Sequence, residues 1–203
     1  MKKKAFAAVI VIVIALAFGA LSLLLGGEAY VIPGSFTRGR EQGAESAQAI
    51  TTIINESLKT LADVSAYERR GDLASALYLI RNEINATGSR QEQARLLATA
   101  MEKMARAIID IRPAAAQQIA LEAVSAQVAA VSHLVTYNEY LTNLFNLLNE
   151  RVRGNKEATT EKVQELVDKL NTENNAIAEL NVQFSRSLAQ FDAIFQGKLD
   201  TTN

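Results

Sequence analysis

Two short stretches of this 203-residue chain gather the side chains best suited to recognition. The first is Tyr67-Glu68-Arg69-Arg70-Gly71-Asp72-Leu73 and the second is Tyr137-Asn138-Glu139-Tyr140. Arginine presents five donors in a planar fork, and tyrosine joins an apolar ring to a polar tip, so both grip carboxylates and partner surfaces well. Arg69, Arg70, Asp72, Tyr137, Asn138 and Glu139 are therefore the candidate interaction residues. The plainer alternative is ion pairing on a helix surface around Glu68, Arg69 and Asp72, with the tyrosines at the margin of a bundle.

Chemistry beyond binding finds little footing. His133 is the sole histidine and sits beside Val131, Leu134 and Val135, at the edge of an apolar stripe, where a structural role is expected. No Glu-x-x-His pair is present, so the di-metal arrangement of helical bundles is missing, as are a His-Glu-x-x-His zinc helix, a glycine-rich phosphate loop and a Gly-x-Ser-x-Gly elbow. The absence of cysteine excludes disulfides, thiolate metal sites and cysteine nucleophiles. Glu139 with Glu150, or Asp63 with Glu68, could pair as acid and base, yet exposed helix carboxylates are ordinarily solvated. No catalytic, cofactor or metal site is expected, and the chain is expected not to be an enzyme.

The placement of these residues depends on what surrounds them. Lys2, Lys3 and Lys4 precede an uncharged apolar run over residues 5–25. At about 1.5 Å per residue, a helix of that length just crosses a hydrocarbon core of roughly 30 Å. Residues 1–25 are read as an uncleaved signal anchor, because the apolar run exceeds the usual span of a cleaved signal. A cleaved secretory signal, with Gly27-Glu28-Ala29 as its exit, is the alternative. The lysines place the amino terminus in the cytoplasm and the rest on the extracytoplasmic side of the cell membrane, a single-pass arrangement. Beyond residue 25 there are 18 cations against 22 acids, a mildly acidic remainder without a basic block, so nucleic acid is not an expected partner. The expected partners are membrane lipid through residues 1–25 and either an unknown protein or a second copy.

Residues 26–43 have the composition of a juxtamembrane linker, with Gly26, Gly27, Pro33, Gly34, Gly39 and Gly43. Tyr30 and Phe36 within it are candidates for the lipid headgroups. Residues 44–203 form the bundle domain. Ile50, Ile54, Leu58, Leu61 and Val64 recur at helical spacing and Leu73, Leu77, Ile80 and Ile84 extend the stripe, so Gly71 reads as a weak point inside one helix. Thr87-Gly88-Ser89 reads as that helix's end, with Ser89 and Glu92 forming a capping box for the next. A second helix over 90–112 ends at a corner at Pro113. A third over 114–153 carries a seam through Leu121, Val124, Val128, Val131, Val135, Asn138, Leu141, Phe145, Leu148 and Val152. A last helix over 160–196 repeats the alternation through Leu170, Asn174, Ile177, Asn181, Phe184, Leu188 and Phe191. The two asparagines either fix register on the seam or mark a seam that rotates toward Leu166, Leu180 and Ile194. The fold class is therefore all-α: a single N-terminal transmembrane helix followed by an elongated antiparallel four-helix bundle, up-down and coiled-coil-like.

Arg69-Arg70-x-Asp72-Leu73 with Leu77, and the later Tyr137-Asn138-Glu139, resemble the Arg-Arg-x-Asp-Leu and Tyr-Asn marks of LemA family proteins. The resemblance covers residues 58–148. It implies a bacterial or archaeal helical bundle behind one amino-terminal membrane helix, and it implies architecture more than activity. The expected function is a membrane-anchored, non-catalytic bundle acting by protein contact, as scaffold, spacer or assembly factor. The alternatives are a helical sensor binding a small molecule, and a cleaved secreted or periplasmic helical protein.

Overall fold

The computed structural model describes residues 30–199, in four long helices: α1 Gly34–Arg69, α2 Leu73–Ala107, α3 Ala114–Val152 and α4 Thr160–Leu199. The anchor expected over residues 1–25 lies outside the described residues. A 3-10 turn, Ile108–Asp110, follows α2, and a single antiparallel bridge joins Val31 to Arg112. No longer strand occurs among the described residues, so the all-helical expectation holds. Consecutive helices pack together, α1 on α2, α2 on α3 and α3 on α4.

Two of the three connections are set by glycine. At the end of α1, Asp72 N donates to Tyr67 O and Gly71 N donates to Glu68 O, with Gly71 at φ +74°. At the end of α3, Asn155 N donates to Glu150 O and Gly154 N to Arg151 O, with Gly154 at φ +87°. Both are Schellman ends, which satisfy the last carbonyls and need a residue free to adopt positive φ. Asp72 then caps α2, its Oδ1 accepting from Ser75 N at 3.1 Å. Gly71 is thus a chain reversal and not the weak point expected from the periodicity. The corner at Pro113 and the end at Gly154 stand where the sequence places them.

Two further boundaries move for one physical reason, the 3,4 spacing of inward positions. On α2 the inner stripe runs Ala76, Ile80, Glu83, Thr87, Arg90, Ala94, Leu97, Met101 and Met104, so it passes straight through Thr87-Gly88-Ser89. What resembles a cap is the polar middle of a seam. On α1 the buried stripe begins at Phe36, Gly39, Gly43 and Ser46, inside the stretch expected to be linker. Gly39 and Gly43 face Met104 and Met101, and the missing side chains make room for them. Phe36 is 1% exposed and stacks on Phe191 at 5.1 Å between centroids, which removes it from the lipid headgroups.

The core divides into two apolar clusters. One joins Phe36, Leu97, Met101, Met104, Ile108, Leu134 and Phe191; the other joins Val64, Ile80, Tyr137, Leu141, Phe145, Leu148 and Leu170. On α3 the first half buries Ala116, Ala120, Ala123, Val124, Gln127 and Ala130 and the second half Leu134, Tyr137, Asn138, Leu141, Leu144, Phe145 and Leu148, while Val128 and Val131 are half-buried and Val135 is exposed. The expected seam is therefore kept at Val124 and from Asn138 to Val152 and turned only over Val128, Val131 and Val135, because the helix packs against both of its neighbours. That helix is also long and apolar enough to cross a membrane by length and composition. On α4, Asn174 and Asn181 are exposed, and Leu166, Leu180 and Ile194 are half-buried, so the seam rotates away from the asparagines.

Candidate functional site

Between the two apolar clusters lies a polar layer built from three helices. Ser57 comes from α1, Glu83, Thr87 and Arg90 from α2, and Asn138 and Thr142 from α3. Arg90 is 3% exposed. Its Nη1 donates to Glu83 Oε2 at 2.9 Å and to Ser57 Oγ at 3.3 Å, and its Nη2 donates to Glu83 O at 3.0 Å and Thr87 Oγ1 at 3.1 Å. The Ser57 hydroxyl in turn donates to Glu83 Oε2 at 2.8 Å. A buried charge survives only when paired and hydrogen-bonded, and this network meets that demand for four of the guanidinium bonds. Arg90 Nε and Asn138 Oδ1 are buried without a partner, and both residues line a tight gap beside Ile50, Ile53 and Ile54.

Beside this layer the outer face of α2 and α3 opens into two clefts that meet at Ala98 and Val131. The cleft at Thr87, Asn138, Glu139 and Thr142 measures about 700 Å³ and mixes these polar groups with Ala94, Ala98, Val131 and Val135. Its neighbour at Met101, Leu121, Val124 and Val128 measures about 510 Å³ and is apolar, with Glu102 and Arg106 paired at 2.5 Å on its rim. The pair forms a groove that is mixed in polarity at one end and apolar at the other. From Thr87 to Arg106 it follows α2 for twenty residues, roughly 29 Å at helical rise. Arg95 on its wall is tied to Glu92 by two bonds of 2.8 and 2.6 Å, which hold the guanidinium above its ordinary range and the carboxylate below it.

The six residues singled out from the sequence separate into two places. Asn138 and Glu139 line the groove, Asn138 buried and Glu139 exposed. Tyr137 is 2% exposed and belongs to the core with Val64, Ala76 and Ile80, so it offers no surface to a partner. Burial pushes its hydroxyl above the ordinary tyrosine value, with the Arg90 charge pulling the other way. Arg69, Arg70 and Asp72 sit at the α1–α2 turn. There Arg70 lies over the Tyr67 ring at 4.6 Å, Asp72 caps α2, and Glu68 pairs with Arg151 of α3. Arg151 is thirteen residues from Asn138, roughly 20 Å along α3. The two motifs therefore do not form one site.

Sequence reasoning misses Arg90, the most buried charge, because a polar run around a glycine reads as a helix end. Its signal is the spacing of Ile80, Glu83, Thr87, Arg90 and Ala94, which stays in register when polar members are kept in the count. His133 Nδ1 lies 2.7 Å from Glu173 Oε2, a link between α3 and α4. No group of three or more His, Cys, Asp or Glu side chains that could hold a metal ion stands together among the described residues. No family model matches this sequence, and comparison with curated proteins and with solved structures finds none similar to it.

Proposed function

We propose that the chain is a membrane-anchored, non-catalytic helical bundle on a LemA-like plan, working by contact with another protein as a scaffold, spacer or assembly factor. Residues 1–25 hold it in the membrane with the amino terminus in the cytoplasm, and an up-down, antiparallel rod of four helices stands on the extracytoplasmic face. End-to-end contacts support the up-down reading: Phe36 near the start of α1 meets Phe191 near the end of α4, and Glu68 at the end of α1 meets Arg151 at the end of α3. The observation that carries the contact function is the α2–α3 groove, whose length suits a partner helix of about twenty residues. Its apolar lining, from Ala94 and Val135 to Leu121 and Val124, suits the apolar face of an amphipathic one, the usual occupant of such grooves.

The test is a photo-crosslinking residue at Glu139 and at Ser125, both in the groove, with Lys162 on exposed α4 as control, in the full chain in its native membrane. One adduct of the same mass from both groove positions and none from Lys162 is expected. No adduct from either groove position, together with a monomeric purified protein, removes the proposal. A second reading draws on Thr87, Gln91, Asn138, Glu139 and Asn143 in the lining of the larger cleft, which suit a small ligand bearing hydrogen-bonding groups. A compound that raises the melting temperature of the chain but not of its Asn138→Leu variant would favour that reading.

A further inference from the structure

We infer that the end of the bundle nearest residues 1–25 is itself a lipid-contact surface, with Tyr30, Val31, Ile32 and Ile109 seated against the bilayer. This rests on the reading of residues 1–25 as an uncleaved anchor. The four side chains are 37%, 43%, 39% and 50% exposed. They are gathered at one place, because Val31 pairs with Arg112 through reciprocal bonds of 3.1 and 3.0 Å, and Ile109 lies in the 3-10 turn just before it. Tyr30 meets Phe195 of α4 edge to face at 5.9 Å, so the last turns of α4 flank the same end. The other exposed large apolar residues, such as Leu58, Tyr78 and Val182, are spread along the helices.

Two further observations name the occupant. Four residues, 26–29, separate the apolar run from Tyr30, and fully extended they span at most roughly 17 Å. The headgroup layer is itself about 5–8 Å deep, so on the anchor reading Tyr30 stands no more than roughly 12 Å beyond the headgroups. The backbone of the turn is also fitted for a dry setting. Arg112 Nη1 donates to Ile109 O and Ile111 O at 2.8 Å each, and Gln117 Nε2 donates to the same two carbonyls at 3.0 and 2.7 Å. A lipid-facing turn needs its carbonyls satisfied without water, and each of these two has two donors. With Arg112 turned onto carbonyls and the exposed Asp110 an acid, the turn offers no free cation to anionic headgroups, so the seat rests on its apolar side chains and is shallow and insensitive to salt.

The chain contains no tryptophan, so a single introduced indole reports its own surroundings. Full-length Ile109→Trp, Leu23→Trp and Tyr78→Trp proteins are reconstituted in phosphatidylcholine vesicles with and without brominated acyl chains. Tyr78, 66% exposed in the early turns of α2, is the remote control. The expected result is at least a twofold loss of emission for Leu23→Trp and Ile109→Trp, unchanged at high salt, and no loss for Tyr78→Trp. Quenching of Leu23→Trp without Ile109→Trp overturns the lipid contact and leaves the anchor standing. Failure of both overturns the anchor reading and the inference with it. Equal quenching of Tyr78→Trp overturns the end-on seat, since the whole bundle would then lie on the bilayer. Val31→Trp is read by the same criteria if Ile109→Trp loses its helical circular dichroism.

Discussion

The Arg90 guanidinium and the Glu83 carboxylate meet at 2.9 Å with side chains only 2% and 12% exposed, in the layer that separates the two apolar clusters. Removing one member of such a pair strands the other, at a typical cost of about 3–5 kcal/mol, whereas replacing both by apolar residues is often close to neutral. Arg90→Met alone is therefore expected to lower the stability of the full chain by an amount in that range. Arg90→Met with Glu83→Met is expected to recover most of it, as read by urea denaturation and a double-mutant cycle. Additive single losses would show that the two groups do not depend on each other.

Gly71 and Gly88 are expected to respond to alanine in opposite directions. Gly88 lies inside α2 without positive φ, and a Cβ added there would meet nothing within 4 Å, so Gly88→Ala is expected to gain about 1 kcal/mol from helix propensity. Gly71 sits at φ +74°, where a side chain costs about 1–2 kcal/mol, so Gly71→Ala is expected to destabilise. Thermal melts of the two variants check this. A destabilised Gly88→Ala would return the helix end to Thr87-Gly88-Ser89.

Gly39 and Gly43 separate on what each side chain would meet. A Cβ at Gly39 comes 2.7 Å from Met104 Cγ and 3.1 Å from the Ala100 carbonyl oxygen, so backbone must move. At Gly43 the close atom is the terminal methyl of Met101, which can swing away. Overpacking typically costs about 1–3 kcal/mol, so Gly39→Ala is expected to melt below the parent. Gly43→Ala is expected to melt at or above it, since the gain in helix propensity is then not offset.

Asp72 carries a pH signature. Its hydrogen bonds to Ser75 hold the carboxyl below its ordinary 3.8, so the charged form contributes stability above that value and loses it as pH falls through the depressed folded value. Asp72→Asn keeps a capping acceptor and removes the charge. Its melting temperature is expected to lie below the parent's at pH 7, with the gap closing below about pH 3.8. A gap independent of pH would show that the charge plays no part in the cap.

The sequence made the helices legible and misplaced three of their boundaries, at Gly34, Gly71 and Gly88. Leu141, Phe145 and Leu148 lie buried as their spacing required, and Pro113 starts α3 and Gly154 ends it for reasons visible in one residue. Gly39, Gly43 and Gly88 mislead because a glycine that receives a neighbour's methionine, or merely sits on an exposed face, has the same local look as one that breaks a helix. Only the tertiary partner separates the cases. Asn138 and Glu139 are legible as a polar pair, but the groove they line depends on how α2 and α3 diverge, and Arg90 stays hidden because its partners come from another turn and another helix.

The central claim is that an uncleaved anchor holds this bundle on the outer face of the membrane, where its groove meets a partner. Protease added to intact cells tests it most directly. The account predicts that residues beyond 26 are digested while an amino-terminal fragment stays in the membrane fraction. A bundle left intact until the cells are lysed, or a mature chain that begins near Tyr30 and leaves the membrane on washing, would contradict it.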